Sequence, residues 1–156
     1  MKAVCRDCSL DAFDANPADI GSALPGQIVS HLQRAPDTDY LALGYGALST
    51  GLYEAMQSAG VGKDVTAALS AGAVPNWQRI AAGKLDAFDV SFPQELMGWV
   101  MFDHILRAAT HTPLPTRQKF GLPARIIDKS NAAEFLKSGW DVEPYTTQLK
   151  KLWGLA

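Results

Sequence analysis

Tyr40-Leu41-Ala42-Leu43-Gly44, Val65-Thr66-Ala67-Ala68-Leu69 and Leu85-Asp86-Ala87-Phe88-Asp89-Val90 are three short apolar runs within Asp39 to Thr110, and each opens the same kind of unit. A turn of small and aromatic residues follows each run: Tyr45-Gly46-Ala47, Ser70-Ala71-Gly72-Ala73 and Ser91-Phe92-Pro93. After every turn comes a segment with helical spacing. Successive strand and helix units of this kind make a parallel sheet, and such sheets take ligands beyond the carboxyl ends of their strands. The turns are therefore where a site is expected. No glycine-rich phosphate fingerprint or exact internal repeat accompanies them, so the units repeat in architecture alone.

Working outward, Leu48, Leu52, Ala55, Met56 and Ala59 share one helical face, with Gly60 as the left-handed cap and Met56 as core filler. The second helix runs from Val74 to Ala82 with Trp77, Ile80 and Ala81 inward, and Gly83 ends it. In the third, Gly98, Phe102, Ile105, Leu106 and Ala109 form the apolar face, which leaves Asp103 and Arg107 as a solvated ion pair opposite. Before the three units, Ala3 to Phe13 reads as a first strand. Ile20, Leu24, Ile28 and Leu32 then mark a helix that Pro25 divides into an entry turn and a helix proper, and Pro36-Asp37 ends it. His31 beside that stripe reads as a packed or solvated helix histidine. After them, Lys119 to Ile127 is extended but broken by Pro123, which suits an edge strand. Asn131 to Glu134 resembles a capping box opening a short helix to Gly139, and a last helix carries Tyr145, Leu149, Leu152 and Trp153 on one side.

The 156 residues fit one domain by the guide of ~100–200 residues each. A net charge of −2 and the lack of any lysine and arginine stripe point away from nucleic acid. No apolar run approaches the ~20 residues needed to span a bilayer, and Met1-Lys2-Ala3 leads into Arg6 and Asp7 rather than an apolar export signal. Cys5 and Cys8 form a C-x-x-C pair with three readings: half a zinc site, a redox pair, or a small structural disulfide or two unremarkable thiols. His31, His104 and His111 lack the spacing to complete a zinc site, so no metal is expected. A disulfide would imply an oxidising compartment.

Among the turns, Tyr45, Ser70, Ser91, Phe92 and Asn76, with Asp19 near the first, supply hydroxyl and aromatic groups. None pairs a nucleophile with a histidine, so neither an enzyme nor a cofactor is expected. Aromatic surface beside small hydroxyls is instead the mixture by which a pocket holds a small semi-polar solute.

At these residues the sequence resembles the carboxyl-terminal half of the type I periplasmic solute-binding proteins of ABC importers, in the ribose-binding-like branch. The likeness runs through Cys5-Arg6-Asp7-Cys8, Pro36-Asp37-Thr38-Asp39-Tyr40, Gly51 with Glu54-Ala55, Ile80-Ala81-Ala82-Gly83, Gly98-Trp99 with Asp103, Ile126-Ile127-Asp128 with Asn131, and Leu152-Trp153-Gly154. It implies a three-layer α/β/α Rossmann-like lobe over residues 1–156, with a mostly parallel sheet. The implied ligand residues are Tyr45, Gly46, Ser70, Ala71, Gly72, Ser91, Phe92 and Asp19. The implied partners are a small solute, a membrane permease and a missing amino-terminal lobe, with self-association of the isolated lobe as a further expectation. The implied location is the periplasm.

The sequence also departs from the family. Its sugar binders place an Asn-Asp pair, an aromatic-Asp-Gly and a Gln before proline at the three turns, where this chain has Tyr45-Gly46, Ser70-Ala71-Gly72 and Ser91-Phe92-Pro93. The groups that grip sugar hydroxyls are absent, which favours an aromatic, semi-polar or modified polyol ligand. The chain amounts to about one lobe of two, so weak binding or none is expected of it alone. Two other readings stand beside this one: the effector-sensing lobe of a transcription repressor, and a free-standing α/β protein using Cys5 and Cys8 in redox chemistry.

Overall fold

A computed structural model describes residues 5–115, 123–140 and 144–155. Its elements run α1 (Leu24–Arg34), β1 (Tyr40–Leu43), α2 (Leu52–Ala59), β2 (Thr66–Ser70), α3 (Val74–Ala81), β3 (Asp86–Ser91), α4 (Gln94–Ala109), β4 (Arg125–Asp128), α5 (Ala132–Ser138) and α6 (Tyr145–Leu152). The sheet order is β1-β2-β3-β4. The first three strands are parallel, and β4 returns antiparallel with Arg125 opposite Ser91. This is the mixed α/β lobe with a mostly parallel sheet that the three repeated units imply.

The core lies on the sheet face that carries Leu41, Leu43, Ala67 and Ile127. One cluster joins that face to α1 and α2 through Leu24, Ile28, Leu32, Leu52 and Met56; the other joins it to α3 and α5 through Ile80, Ala132 and Phe135. Leu24 and Leu52 are fully buried, and each such side chain contributes about 1.5–3 kcal/mol by leaving water. Trp77 packs edge-on against Phe135, with ring centroids 4.9 Å apart. On the opposite sheet face, Tyr40, Ala42, Phe88, Val90 and Ile126 are exposed.

Local chemistry sets the boundaries. Pro25 stands in the first turn of α1, where its missing N–H costs nothing. Gly60 closes α2 at φ 66°, and its N–H reaches the carbonyls of Gln57 and Met56. Leu48 falls outside α2, because Gly46–Ser49 forms a 3-10 turn and Gly51 at φ 73° breaks the chain before the helix begins. β4 is an edge strand, as Pro123 suggests; the start of that run, 119–122, lies outside the described residues.

Three expectations are corrected. Residues 5–13 carry no strand, and residues 3 and 4 lie outside the described part. Cys5 and Cys8 are disulfide-bonded with their Cα atoms 5.4 Å apart, whereas three residues of strand span ~10 Å. Asn131 makes no capping box: its Oδ1 accepts from the Asp128 N–H and its Nδ2 donates to the Ile126 carbonyl, tying α5 back to β4. His31 sits half-buried on α1, as read, and has Asp11 Oδ2 at 3.1 Å from Nε2.

The third concerns α4, whose faces are reversed. Val100 and Asp103 are its buried residues, while Phe102 and Ile105 are 49% and 62% exposed. The Asp103–Arg107 pair forms at 2.7 Å, but Asp103 is buried and also accepts from Trp153 Nε1 at 2.9 Å. Burial alone would raise the Asp103 carboxyl; the hydrogen bonds from Trp153 and Arg107, with the Arg107 charge, outweigh it and lower its pKa. α4 meets α6, not the sheet, as its principal packing partner. There Trp153 stacks on Trp99 with centroids 5.7 Å apart and meets Phe102 edge-on.

Candidate ligand site

Beyond the carboxyl ends of β1, β2 and β3, the three turns enclose an open cleft of about 490 Å³. The first turn supplies Tyr45, Ala47, Thr50 and Gly51; the second supplies Ala71 and Ala73, followed by Pro75, Asn76 and Arg79 from α3; the third supplies Phe92, with Gln94 and Met97 from α4. Two aromatic rings, five small or apolar residues and a methionine thus surround a few polar tips. No carboxylate is among the lining residues.

Beneath the cleft lies a polar network that explains this. Asp89 is fully buried; both its oxygens face the Gly72 N–H, at 3.0 and 3.1 Å, and Oδ2 also accepts from Trp77 Nε1 at 2.8 Å. Asp86 Oδ2 accepts from Arg79 Nε at 2.9 Å and from Asn76 Nδ2 at 3.2 Å, and Arg79 reaches on to Ser49 Oγ at 2.7 Å. Asn76 Nδ2 also faces the Gly46 carbonyl and Ser49 Oγ, while its Oδ1 accepts from the Ala73 N–H. Burial pushes the Asp86 carboxyl up in pKa, against the lowering pull of Arg79. Both carboxylates therefore serve the turns from below; Asp86 Oδ1 has no partner, but it is buried and neither residue lines the cleft.

The turns also touch each other. A Cβ at Gly46 would stand 2.6 Å from Gly72 Cα and 2.7 Å from Asn76 Oδ1, and one at Gly72 would stand 2.4 Å from Asp89 Oδ2. Two backbones pass where side chains would otherwise project. Ser70 Oγ closes the same seam by donating to the Gly44 carbonyl at 2.6 Å. Ala71 sits between them in the left-handed region at φ 49°, a conformation that costs an alanine about 1–2 kcal/mol. Its carbonyl accepts from Gln94 Nε2 at 3.0 Å, which ties the start of α4 to the second turn.

Of the residues read from sequence, Tyr45, Ala71 and Phe92 line the cleft, together with Asn76. Gly46, Ser70 and Gly72 hold the turns behind it, and Ser91 is fully buried with its Oγ unpartnered. Asp19 is not in the lining; its Oδ2 accepts from Gln27 Nε2. Sequence reading missed Thr50, Arg79, Gln94 and Met97. Their signal was position: each lies within two turns of a helix start, at the carboxyl end of the sheet. Among the described residues no cluster of histidine, cysteine or carboxylate suits a metal.

No protein-family model matches the sequence, and no curated protein matches it closely enough to count as a relative. Solved structures do match in shape. A substrate-binding protein of a sugar ABC transport system from Bordetella parapertussis matches 93% of this chain over 46% of its own, at 25% identity and a TM-score of 0.62. A solute-binding protein of an ABC transporter from Agrobacterium vitis, solved with bound allitol, matches 83% of this chain over 45% of its own, at 16% identity and a TM-score of 0.66. A galactofuranose-binding protein matches 75% over 40% of its own, at 16% identity and 0.59. The chain spans less than half the length of each. Its fold is that of a single lobe of the type I periplasmic solute-binding proteins of ABC importers.

Proposed function

We propose that the chain forms one wall of a solute clamp, the carboxyl-terminal lobe of an importer's periplasmic receptor, which delivers its ligand to a membrane permease. The observation that carries this is the cleft itself: it opens at the carboxyl ends of three parallel strands, between Tyr45 and Phe92. The Bordetella protein is a substrate-binding protein of a sugar ABC transport system, and the Agrobacterium one was solved with bound allitol. This cleft differs from a hydroxyl-gripping site, because its two nearby carboxylates are buried beneath the turns, bonded to Gly72, Trp77, Arg79 and Asn76, and outside the lining. The ligand we assign is therefore semi-polar: an aryl-bearing or deoxygenated sugar or polyol whose apolar face lies against the rings. The Cys5–Cys8 disulfide accords with an oxidising compartment.

The test is calorimetry with three probes: ribose, allitol and phenyl β-glucoside. The isolated chain is expected to bind all three weakly or not at all, since one wall leaves most of a ligand's surface in water. A chimera in which this chain replaces the matched part of the Bordetella protein is expected to favour the aryl glycoside. There Tyr45→Ala and Phe92→Ala should each weaken binding by roughly 2- to 12-fold, the equivalent of about 0.5–1.5 kcal/mol per ring contact. Micromolar ribose binding by the isolated chain, or a chimera that binds ribose alone, refutes the assignment.

A further inference from the structure

We infer that the solute offers Arg79 an oxygen that only accepts hydrogen bonds, a carbonyl or a carboxylate, and that Arg79 tells such a solute from a plain alcohol or polyol. This rests on the reading of the cleft as the solute site and deepens it. Arg79 is the one charged side chain among the described lining residues. It is held from below at two points, with Nε donating to Asp86 Oδ2 at 2.9 Å and Nη2 to Ser49 Oγ at 2.7 Å. A guanidinium carries its N–H groups in one fixed plane, so the two anchors also fix the direction of the rest. Nη1 has no partner among the described residues, and although the side chain is only 15% exposed, this nitrogen is not buried. A pair of preset donors therefore stands in the wall, open to water.

The rest of the wall cannot take those donors. No carboxylate lines it. The Asn76 amide is used up, with Oδ1 on the Ala73 N–H and Nδ2 facing Gly46, Ser49 and Asp86. Gln94 Nε2 donates to the Ala71 carbonyl. A solute that settles on the rings strips water from Nη1, and a charged donor left dry and unpaired is costly. On this wall the acceptor has to come from the solute.

The same accounting chooses the kind of acceptor. A hydroxyl oxygen can accept from Nη1, but its own O–H must then find an acceptor, and the carboxylates that would serve lie beneath the turns, outside the lining. A carbonyl or carboxylate oxygen has no proton to place, so it satisfies Arg79 without leaving a new group unpaired. Asp86 and Asp89 below the turns oppose an anion and offset part of the pull of Arg79 on it. The bond rather than the net field therefore selects, and a neutral carbonyl is served as well as a carboxylate.

The test titrates this chain with benzoate, benzamide and benzyl alcohol, which share one aromatic ring and differ in the oxygen they present. Nuclear magnetic resonance follows the Arg79 Nε–H and the Ala71 and Ala73 amides, with each probe taken to about 50 mM, where a millimolar Kd is readable. Benzoate or benzamide should bind at least ~5-fold more tightly than benzyl alcohol. Benzoate favoured, with an advantage that fades in high salt, assigns a carboxylate; benzamide favoured regardless of salt assigns a carbonyl, and either result supports the inference. Arg79→Lys keeps a cation for Asp86 but loses the planar fork, and should bring the three probes within about 2-fold of one another. The inference is overturned if benzyl alcohol binds as tightly as the other two, if the preference survives in a folded Arg79→Lys protein, or if no probe shifts the cleft signals. Should Arg79→Lys not fold, the three titrations of the parent decide. Equal binding by all three fails this inference alone, and silence from all three leaves the clamp reading standing, since one wall by itself is expected to hold solutes weakly or not at all.

Discussion

Replacing Gly46 by alanine tests whether the first two turns close on each other backbone to backbone. The added methyl would stand 2.6 Å from Gly72 Cα and 2.7 Å from Asn76 Oδ1, well inside the ~3.5–4.0 Å of an optimal heavy-atom contact. Neither neighbour yields easily: Gly72 is held by Asp89, and Asn76 by the Gly46 carbonyl and Ser49. Overpacking of this kind costs about 1–3 kcal/mol, and an obstacle of main chain rather than side chain places the cost at the upper end. For a chain of 156 residues, ~3 kcal/mol at about 2–4 °C each lowers the melting temperature by roughly 6–12 °C. Gly44→Ala is the matched control, because a methyl there meets nothing within 4 Å and a surface change without a partner stays within about 0.5 kcal/mol. Thermal melts followed by far-ultraviolet circular dichroism read both. A Gly46→Ala protein that melts with the parent, or a Gly44→Ala protein that falls as far, refutes the closed-turn geometry.

Ala71→Gly should stabilise the chain by about 0.5–1 kcal/mol, since glycine removes the left-handed penalty at φ 49° at some cost in unfolded-state entropy; denaturant midpoints at constant slope check it. Asn76→Ala should cost about 2–4 kcal/mol by leaving Asp86, Ser49 and the Gly46 carbonyl short of a donor, and urea melts should show it with the fold's circular dichroism retained. Asp103 has a lowered folded-state pKa, so its stabilisation is full above the unfolded value of about 3.9 and is lost as pH falls through the folded one. Asp86, raised by burial, acts with the opposite sign, favouring the fold at low pH and penalising it as pH rises through its folded pKa. The acid-limb difference between the parent and Asp103→Asn therefore isolates Asp103: the variant should lose stability less steeply on acidification, and parallel limbs would refute the assignment.

Legibility differed from element to element for physical reasons. The strands and α1 to α3 were readable because their apolar spacing, Pro25, Gly60 and Gly83 act within a few residues. α4 was readable as a helix but not in orientation. Its stripe of Phe102 and Ile105 points inward only if the core lies on that side, and the packing partner is α6 with Trp153 at its end, 50 residues on from Asp103. The Cys5–Cys8 bridge likewise bends residues 5–8, where the strand pattern called for extended chain. The Asn131 pattern of a capping box was spent on β4 instead, a choice of partner that local sequence does not encode.

In the site, Tyr45, Ala71 and Phe92 were legible because a residue at the carboxyl end of a parallel strand faces the ligand end wherever such a sheet forms. Sequence alone thus determined the class of sheet, the end at which the cleft opens and the side chains absent from its turns. Only the tertiary structure decided why they are missing and what replaces them. Gly46 and Gly72 meet across 26 residues, Asp86 and Asp89 are drawn beneath the turns by Arg79, Asn76 and Trp77, and Arg79 and Gln94 reach the cleft from helices. Periodicity is a property of neighbours along the chain, whereas close approach and the sharing of buried charge belong to residues that meet only once the sheet has formed.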